Sequence, residues 1–358
     1  MKYAAVILFN NQNSLAAVSY TAVTDALLAG GVFLDRVEFL PYDAPAAVTA
    51  ALLRLSSECD GVILVCDRVL LSSARDAVSQ AAGEAFSEEY ILETQNCLFA
   101  VLPTGERGAE IVRTETVPRI DKRRGNSYYR EVMCMVGAPP EALRESMKFA
   151  REVAQGKLSI HYSEQYGLGR LEIIYDRQTP KVIADEVVRI LASALKDHIY
   201  SMRDEGIASR LVEVLKLHRL RISTAESFTG GGVGREISRV PGASKVYFEG
   251  LNTYDRGSKM LRTGVSEDTL FKYGAVSDET AYEMALGLLK QGNCDVAIAT
   301  TGVAGPDPDG DRPVGLCYIA VGTREQVRVY RYQLPGDRET ISETAIRLAL
   351  FLAYREIK

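Results

Sequence analysis

The stretch Thr224-Ala225-Glu226-Ser227-Phe228-Thr229-Gly230-Gly231-Gly232 decides how the C-terminal part of this chain folds. It follows a short apolar run, Leu220 to Ser223, and precedes the amphipathic Val233 to Val240. That pattern reads as strand, tight turn, helix. The turn would hold a hydroxyl nucleophile, and its glycines let backbone amides approach a ligand closely. The helix start offers free N–H groups to an anion, either a phosphate or a developing oxyanion. A glycine-rich connector without chemistry is the plain alternative, and it weakens only because other motifs accompany this one.

The chain has 358 residues, enough for at least two domains. It is 47% apolar and 25% charged, a globular composition rather than a disordered one. A net charge of -5 gives no general pull toward nucleic acid or anionic membrane. No apolar run approaches the length of a spanning helix. Met1 to Asn11 reads as a first core strand and not a signal peptide. Cys59, Cys66, Cys97, Cys134, Cys294 and Cys317 form no C-x-x-C pair, so free, mostly buried thiols in a reducing cytoplasm are expected. His161, His198 and His218 are too scattered for a histidine triad or a zinc site.

The first 155 or so residues alternate strand-like runs (Tyr3-Phe9, Val37-Leu40, Gly61-Cys66) with helical ones (Thr21-Ala29, Ala44-Leu55, Leu71-Ala82). Alternation of this kind argues for a parallel sheet covered on both faces. A polar stretch from Thr114 to Arg130 interrupts it before the helical Glu141-Ala154. Within that stretch Arg119 to Arg130, with Tyr128 and Tyr129, reads as a solvated loop rather than a stacking surface for single strands. A small unit follows, with one strand at Leu171-Tyr175 and one helix at Ala184-Lys196. The last unit is predicted as helix 206–217, strand 219–224, helix 230–238, strand 246–254, helix 278–291, strand 294–300, strands 315–321 and 326–333, and helix 337–356.

Other motifs gather around the opening turn. Tyr254 and Lys259 stand five residues apart after a strand, and each alone would be an ordinary strand tyrosine or surface lysine. Thr301-Gly302-Val303-Ala304-Gly305-Pro306 follows the apolar Cys294-Ile298, at the strand end where open α/β sheets bind ligands. The loop Asp307 to Asp311 can hold a cation or simply be a solvated turn. Arg338 opens the last helix, where a guanidinium can meet a phosphate or stand as a surface arginine.

Together these residues resemble the CinA family, specifically its C-terminal nicotinamide-nucleotide amidase domain. The matching signatures are TAES-x-TGG at 224–231, PGAS at 241–244, the Tyr254 and Lys259 pair, Gly274-Ala275-Val276-Ser277, TG-x-AGP at 301–306 and PVG at 313–315. The resemblance implies hydrolysis of the carboxamide of nicotinamide mononucleotide to nicotinic acid mononucleotide and ammonia. It puts the nucleophile on Ser227, with Tyr254 and Lys259 activating it. Backbone amides around Thr229, Gly230 and Gly231 are the expected oxyanion donors. Thr301, Gly302, Ala304 and Gly305 would line the nucleotide site, with Arg338 at the phosphate; where the family often has a second arginine, this chain has Ser342. Lys259 as base must be neutral, which burial beside other cations would favour. Alternatively a charged Lys259 depresses Tyr254 and the phenolate takes the serine proton. No metal or organic cofactor is required. A non-catalytic nucleotide-binding protein and an ADP-ribose pyrophosphatase are the competing readings.

The expected architecture is α/β throughout. Residues 1–157 resemble the family's molybdopterin-binding-like three-layer domain, 158–204 its KH-like α+β connector, and 205–358 its α/β/α amidase domain. The connector lacks a G-x-x-G loop, so it is read as a packing or dimer element without nucleic acid. In active relatives the first domain hydrolyses ADP-ribose. Here its first turn is Phe9-Asn10-Asn11-Gln12, and Cys66-Asp67-Arg68-Val69-Leu70-Leu71 replaces its glycine- and hydroxyl-rich phosphate loop. Val136-Gly137-Ala138-Pro139-Pro140-Glu141 keeps part of a third family turn. A degenerate first domain follows, its fold kept and its pyrophosphatase lost. The resemblance also implies a cytoplasmic homodimer acting on a pyridine nucleotide, away from membranes.

Overall fold

The computed structural model describes residues 1–9, 20–86, 90–125 and 128–358. Its contacts divide the chain into two compact units. The first comprises Met1–Arg130, Gly156–Ser159 and Ile174–Ala184, and the second Glu131–Gln155, Ile160–Ile173 and Asp185–Lys358.

The first unit is a three-layer α/β arrangement. Strands β1 (Tyr3–Phe9), β2 (Arg36–Pro41), β3 (Gly61–Cys66), β4 (Ile91–Glu93) and β5 (Leu98–Pro103) form a sheet of order β2-β1-β3-β5-β4. All neighbours are parallel except β4 and β5. The central strands are buried on both faces, which explains their unbroken apolar runs. One face packs on α1 (Thr21–Ala29), α4 (Glu106–Ile111) and α5 (Val117–Arg124) through Val23, Leu27, Ile111 and Ile120. The other packs on α2 (Pro45–Glu58) and α3 (Leu71–Ala82) through Leu52, Leu55 and Val78.

The expected solvated loop at Arg119 to Arg130 is corrected by α5. Ile120 is fully buried there, and the Arg124 guanidinium lies 4.7 Å from the Tyr3 ring and 5.6 Å from the Tyr128 ring. Its basic residues mask a single apolar anchor, too sparse a signal for periodicity to register. Asn126 and Ser127 of that stretch, and Asn10 to Gln12 of the first turn, lie outside the described residues. After β3 the chain makes a helical turn, Arg68–Leu70, straight into α3, and the Asp67 carboxylate accepts a hydrogen bond from Thr104 at 3.2 Å.

A four-stranded sheet is built from β6 (Tyr128–Val136), β7 (Ser159–Gln165), β8 (Leu168–Asp176) and β9 (Ile199–Ser201) in the order β7-β8-β6-β9. Helices α6 (Pro140–Ala154) and α7 (Lys181–Leu195) accompany it. The expectation of one strand and one helix here was too sparse. β7 buries only Ile160, so its sequence carries no apolar alternation to read.

The last sheet carries the site. Its order is β11-β10-β12-β13-β14, from β10 (Ile222–Glu226), β11 (Tyr247–Asn252), β12 (Val296–Gly302), β13 (Leu316–Thr323) and β14 (Val327–Gln333). β11, β10 and β12 are parallel, so their carboxyl ends share one edge; β13 and β14 are antiparallel additions. Helices α8 (Ile207–His218), α9 (Gly232–Ser238) and α13 (Arg338–Ile357) cover one face, with Leu211, Ile237, Ile346 and Phe351 in its core. The other face carries α10 (Arg256–Thr263), α11 (Glu267–Lys272) and α12 (Asp278–Lys290), with Leu270, Met284 and Leu288 in its core.

Helices α10 and α11 were not anticipated. The residues α10 buries are Lys259 and Thr263, while its Leu261 is 79% exposed, an inversion of the usual amphipathic rule. Asp255 caps its start by accepting from the Gly257 amide. Among the described residues no helix is long and apolar enough to cross a membrane. The six cysteines are free, all but Cys59 buried.

Gly287 of α12 fixes how closely α10 can sit, because a Cβ there would lie 1.7 Å from the Thr263 carbonyl oxygen. Ala would gain about 1 kcal/mol of helix propensity at an unconstrained site. The backbone clash should instead cost about 1–3 kcal/mol. A lower urea midpoint for Gly287→Ala is the expected result; an unchanged or higher one would contradict this packing.

Candidate active site

Strand alternation sorts the residues at the end of β10. Ile222 lies in the core on the α9 and α13 face, and Ala225 in the core on the α10 and α12 face. Continuing that period of two sends Glu226 toward α9 and Ser227 toward α10. The ladder runs one step past the strand. The Ser227 amide donates to Thr300 O at 3.0 Å, and the Thr253 amide donates to Glu226 O at 2.7 Å. Ser227 is therefore held by both neighbouring strand ends.

On its side of the sheet Ser227 meets Lys259. The Lys259 Nζ lies 2.9 Å from Ser227 Oγ, 2.7 Å from Thr253 O and 3.2 Å from Tyr254 O. The side chain is 1% exposed. Burial lowers its pKa to about 8, against the Asp255 carboxylate, which pulls the other way. Burial is thus the cause, and the neighbouring cations expected from sequence are replaced by an anion that opposes the shift. The three acceptors around Nζ are neutral oxygens, so a neutral amine can donate to the carbonyls and present its lone pair to the hydroxyl.

Tyr254 contributes to this cluster through its backbone carbonyl. Its ring is 60% exposed, and its phenol oxygen accepts from Arg338 Nη2 at 3.0 Å. Arg338 Nη1 also donates to Gly305 O. Arg338 thereby links the end of β11 to the loop after β12. Asp337 caps α13 beneath it by accepting from the Thr340 amide.

On the opposite side the Glu226 carboxylate is 1% exposed and fully engaged. It accepts from Thr229 Oγ1 at 2.8 Å, the Val233 amide at 2.9 Å and the Gly234 amide at 2.8 Å. The N–H groups at the α9 start, expected to serve a ligand, are instead spent on the chain's own carboxylate. Thr229 Oγ1 also bonds Thr300 Oγ1 at 2.7 Å, so its side chain is internal. The turn itself uses left-handed backbone at Gly230 and Gly231, with φ of 59° and 90°. The Gly230 amide closes onto Ser227 O at 3.0 Å. The amides of Phe228, Thr229 and Gly231 donate to no group among the described residues.

The remaining motif residues take structural posts. Thr301 Oγ1 donates to Ala275 O at 2.6 Å, Gly302 faces Cys317 with no room for a Cβ, and Ala304 belongs to the core. Ser277 caps α12. Gly315, at φ of 91°, passes 2.0 Å from Leu334 O by its would-be Cβ and stitches Val303 to that segment. In the Asp307 to Asp311 loop Asp309 and Arg312 pair through their backbones, and no group of three or more acidic, histidine or cysteine residues suited to a metal occurs among the described residues.

A recess of about 420 Å³ flanks the turn, lined by Glu226, Gly231, Arg235, Tyr247 and Asn252 among others. Ser227 and Lys259 do not line it. Its only arginine is already paired with Glu343 at 2.8 Å and Glu236 at 3.4 Å, so it offers little to a phosphate. Sequence reasoning assigns Glu226 no role. The signal was present: an acidic residue at the end of a buried strand, just before a glycine-rich helix start.

A hydroxyl and a buried amine thus meet at the carboxyl edge of three parallel strands in an α/β unit. The family model described as CinA C-terminal domain matches residues 204–357. A relative from Clostridium novyi, described as competence-damage inducible, is 30% identical over 288 residues, 79% of this chain and 69% of that protein. Another so described, from Caldicellulosiruptor saccharolyticus, is 35% identical over 239 residues, 65% of this chain. That match spans 58% of its length, so the chain covers about three fifths of this relative. A crystal structure of a competence-damaged protein (CinA) superfamily member from Escherichia coli is 34% identical, covering 42% of this chain and 88% of its own, with a TM-score of 0.41. The chain belongs to the CinA family.

Lys259 also links stability to pH. The unfolded chain keeps its proton up to the ordinary lysine value of 10.5, whereas the folded chain releases it near 8. Between those values the unfolded state binds more protons, so raising the pH favours the fold. At about 1.4 kcal/mol per pH unit the gain is roughly 3 kcal/mol. Urea titrations of wild type and Lys259→Met at pH 7 and pH 11 should show wild type gaining that much on the variant. A constant difference would mean that Lys259 is not held neutral by burial.

Proposed function

We propose that the C-terminal unit is a serine-dependent amidase that hydrolyses the carboxamide of nicotinamide mononucleotide to nicotinic acid mononucleotide and ammonia. The observation that carries the reading is the buried Lys259 amine, 2.9 Å from Ser227 Oγ with its pKa lowered to about 8. A base poised near operating pH suits proton transfer from a serine. The substrate comes from the motif resemblance to the CinA amidase domain; the chemistry comes from the geometry.

In this mechanism Ser227 Oγ attacks the amide carbon while Lys259 takes its proton. The tetrahedral oxyanion is held by free amides of the turn, for which Phe228 and Thr229 stand first after the nucleophile. Lys259 then passes the proton to the departing nitrogen, and ammonia leaves an acyl ester on Ser227. Water, deprotonated by the same amine, hydrolyses the ester to the carboxylic acid. Between the two proton-transfer routes left open by sequence, the distances favour direct transfer to Lys259, since the Tyr254 phenol is bonded to Arg338. Tyr254 and Arg338 form the exposed polar rim at which a nucleotide would enter.

Ammonia release from nicotinamide mononucleotide should be clear for wild type and fall by on the order of 10³-fold or more in Ser227→Ala. kcat/KM should rise with pH to a plateau with a midpoint near 8, dropping tenfold per unit below it. Full activity of Ser227→Ala would remove the nucleophile. Binding without turnover by wild type would point to a nucleotide-binding module instead.

A further inference from the structure

We infer that Glu226 is a positioning residue for the oxyanion amides: its carboxylate clamps the turn that carries the nucleophile from the side opposite Lys259. This inference rests on the amidase reading.

A carboxylate removed from water is costly unless its oxygens are bonded. Glu226 meets that requirement with three donors, and all three lie on the far side of Ser227 in the chain. Its backbone, meanwhile, belongs to β10 and receives the Thr253 amide. One residue thus ties the strand before the nucleophile to the helix after it. The five residues between, Ser227 to Gly231, are closed at both ends.

An ordinary helix cap would not do this. The usual cap is a Ser, Thr, Asp or Asn at the first boundary position, bonding within its own turn. In α9 that position is Gly231 at φ of 90°, which carries no side chain and strongly disfavours one. Capping has moved to the residue directly before the nucleophile. The geometric consequence falls on the Phe228 and Thr229 amides. Thr229 is gripped through its hydroxyl by Glu226 and Thr300, and its free N–H is thereby held in one direction. A donor fixed before the charge develops needs no reorganisation during reaction.

Glu226→Gln preserves shape but must turn its NH2 against either the Gly234 amide or the Val233 amide, losing at least one bond. Thr229→Val removes the hydroxyl from the other side and leaves the carboxylate, so it decides the matter should the first variant not fold. The measurement is the rate at which a fluorophosphonate probe labels Ser227 in the full chain, with saturation kinetics across pH, beside ammonia release from nicotinamide mononucleotide. Labelling needs the hydroxyl, the base and the oxyanion donors but no particular nucleotide. For both variants we expect the maximal labelling rate and kcat to fall at least tenfold, with the half-saturating concentrations and the pH midpoint unchanged. Variants that label like wild type overturn the clamp while leaving the amidase intact. A shifted pH midpoint overturns it too, since Glu226 would then act on the base. Wild type that neither labels nor releases ammonia brings down the amidase reading, and the clamp with it.

Discussion

The site depends on keeping one amine dry. An ammonium taken out of water loses several kcal/mol of solvation unless paired, and the usual outcome is that it gives up its proton. Lys259 is placed so that its proton is loosened beside a hydroxyl: two backbone carbonyls accept from it, and Ser227 completes the set. Among the described residues no carboxylate pairs with it directly; Asp255 bonds the Gly257 amide instead. The same burial that costs folding energy at neutral pH lowers the amine's pKa to about 8.

Keeping it dry is a packing problem solved by neighbours. α10 is too short and too polar to fold by itself, and its one large buried side chain is the lysine. It is held by its Asp255 cap, by Thr263 bonding back to Lys259 O, and by close approach to α12 at Gly287. Arg256 reaches across to Leu270 O in α11. These bonds are local and structural, yet their product is a chemical property of one nitrogen.

The two sides of β10 divide the labour. A strand points successive side chains in opposite directions, so Glu226 and Ser227 cannot serve the same layer. The serine goes to the layer with the lysine. The glutamate goes to the layer of α9 and α13, where its carboxylate replaces the ligand expected at the helix start. In the first unit the corresponding strand end behaves differently: after β3 the chain turns directly into α3, and Asp67 bonds Thr104.

Much of this was legible in the chain alone. Apolar-rich runs such as Gly61-Cys66 and Cys294-Ile298 marked buried strands, and Thr224 to Gly232 marked the corner, because burial on both faces and left-handed backbone each leave a compositional trace. Elements without that trace stayed hidden: β7 buries one residue, α5 anchors through Ile120, and α10 buries a cation. Sequence determined which residue types stood near strand ends, and so that a hydroxyl, a phenol and an amine were available. Tertiary structure alone decided that burial lowers the amine's pKa and sets it against the hydroxyl, that the phenol faces an arginine, and that a glutamate fills the helix start. Those outcomes depend on solvent exclusion and on which layer a side chain enters, and both are set by residues distant along the chain.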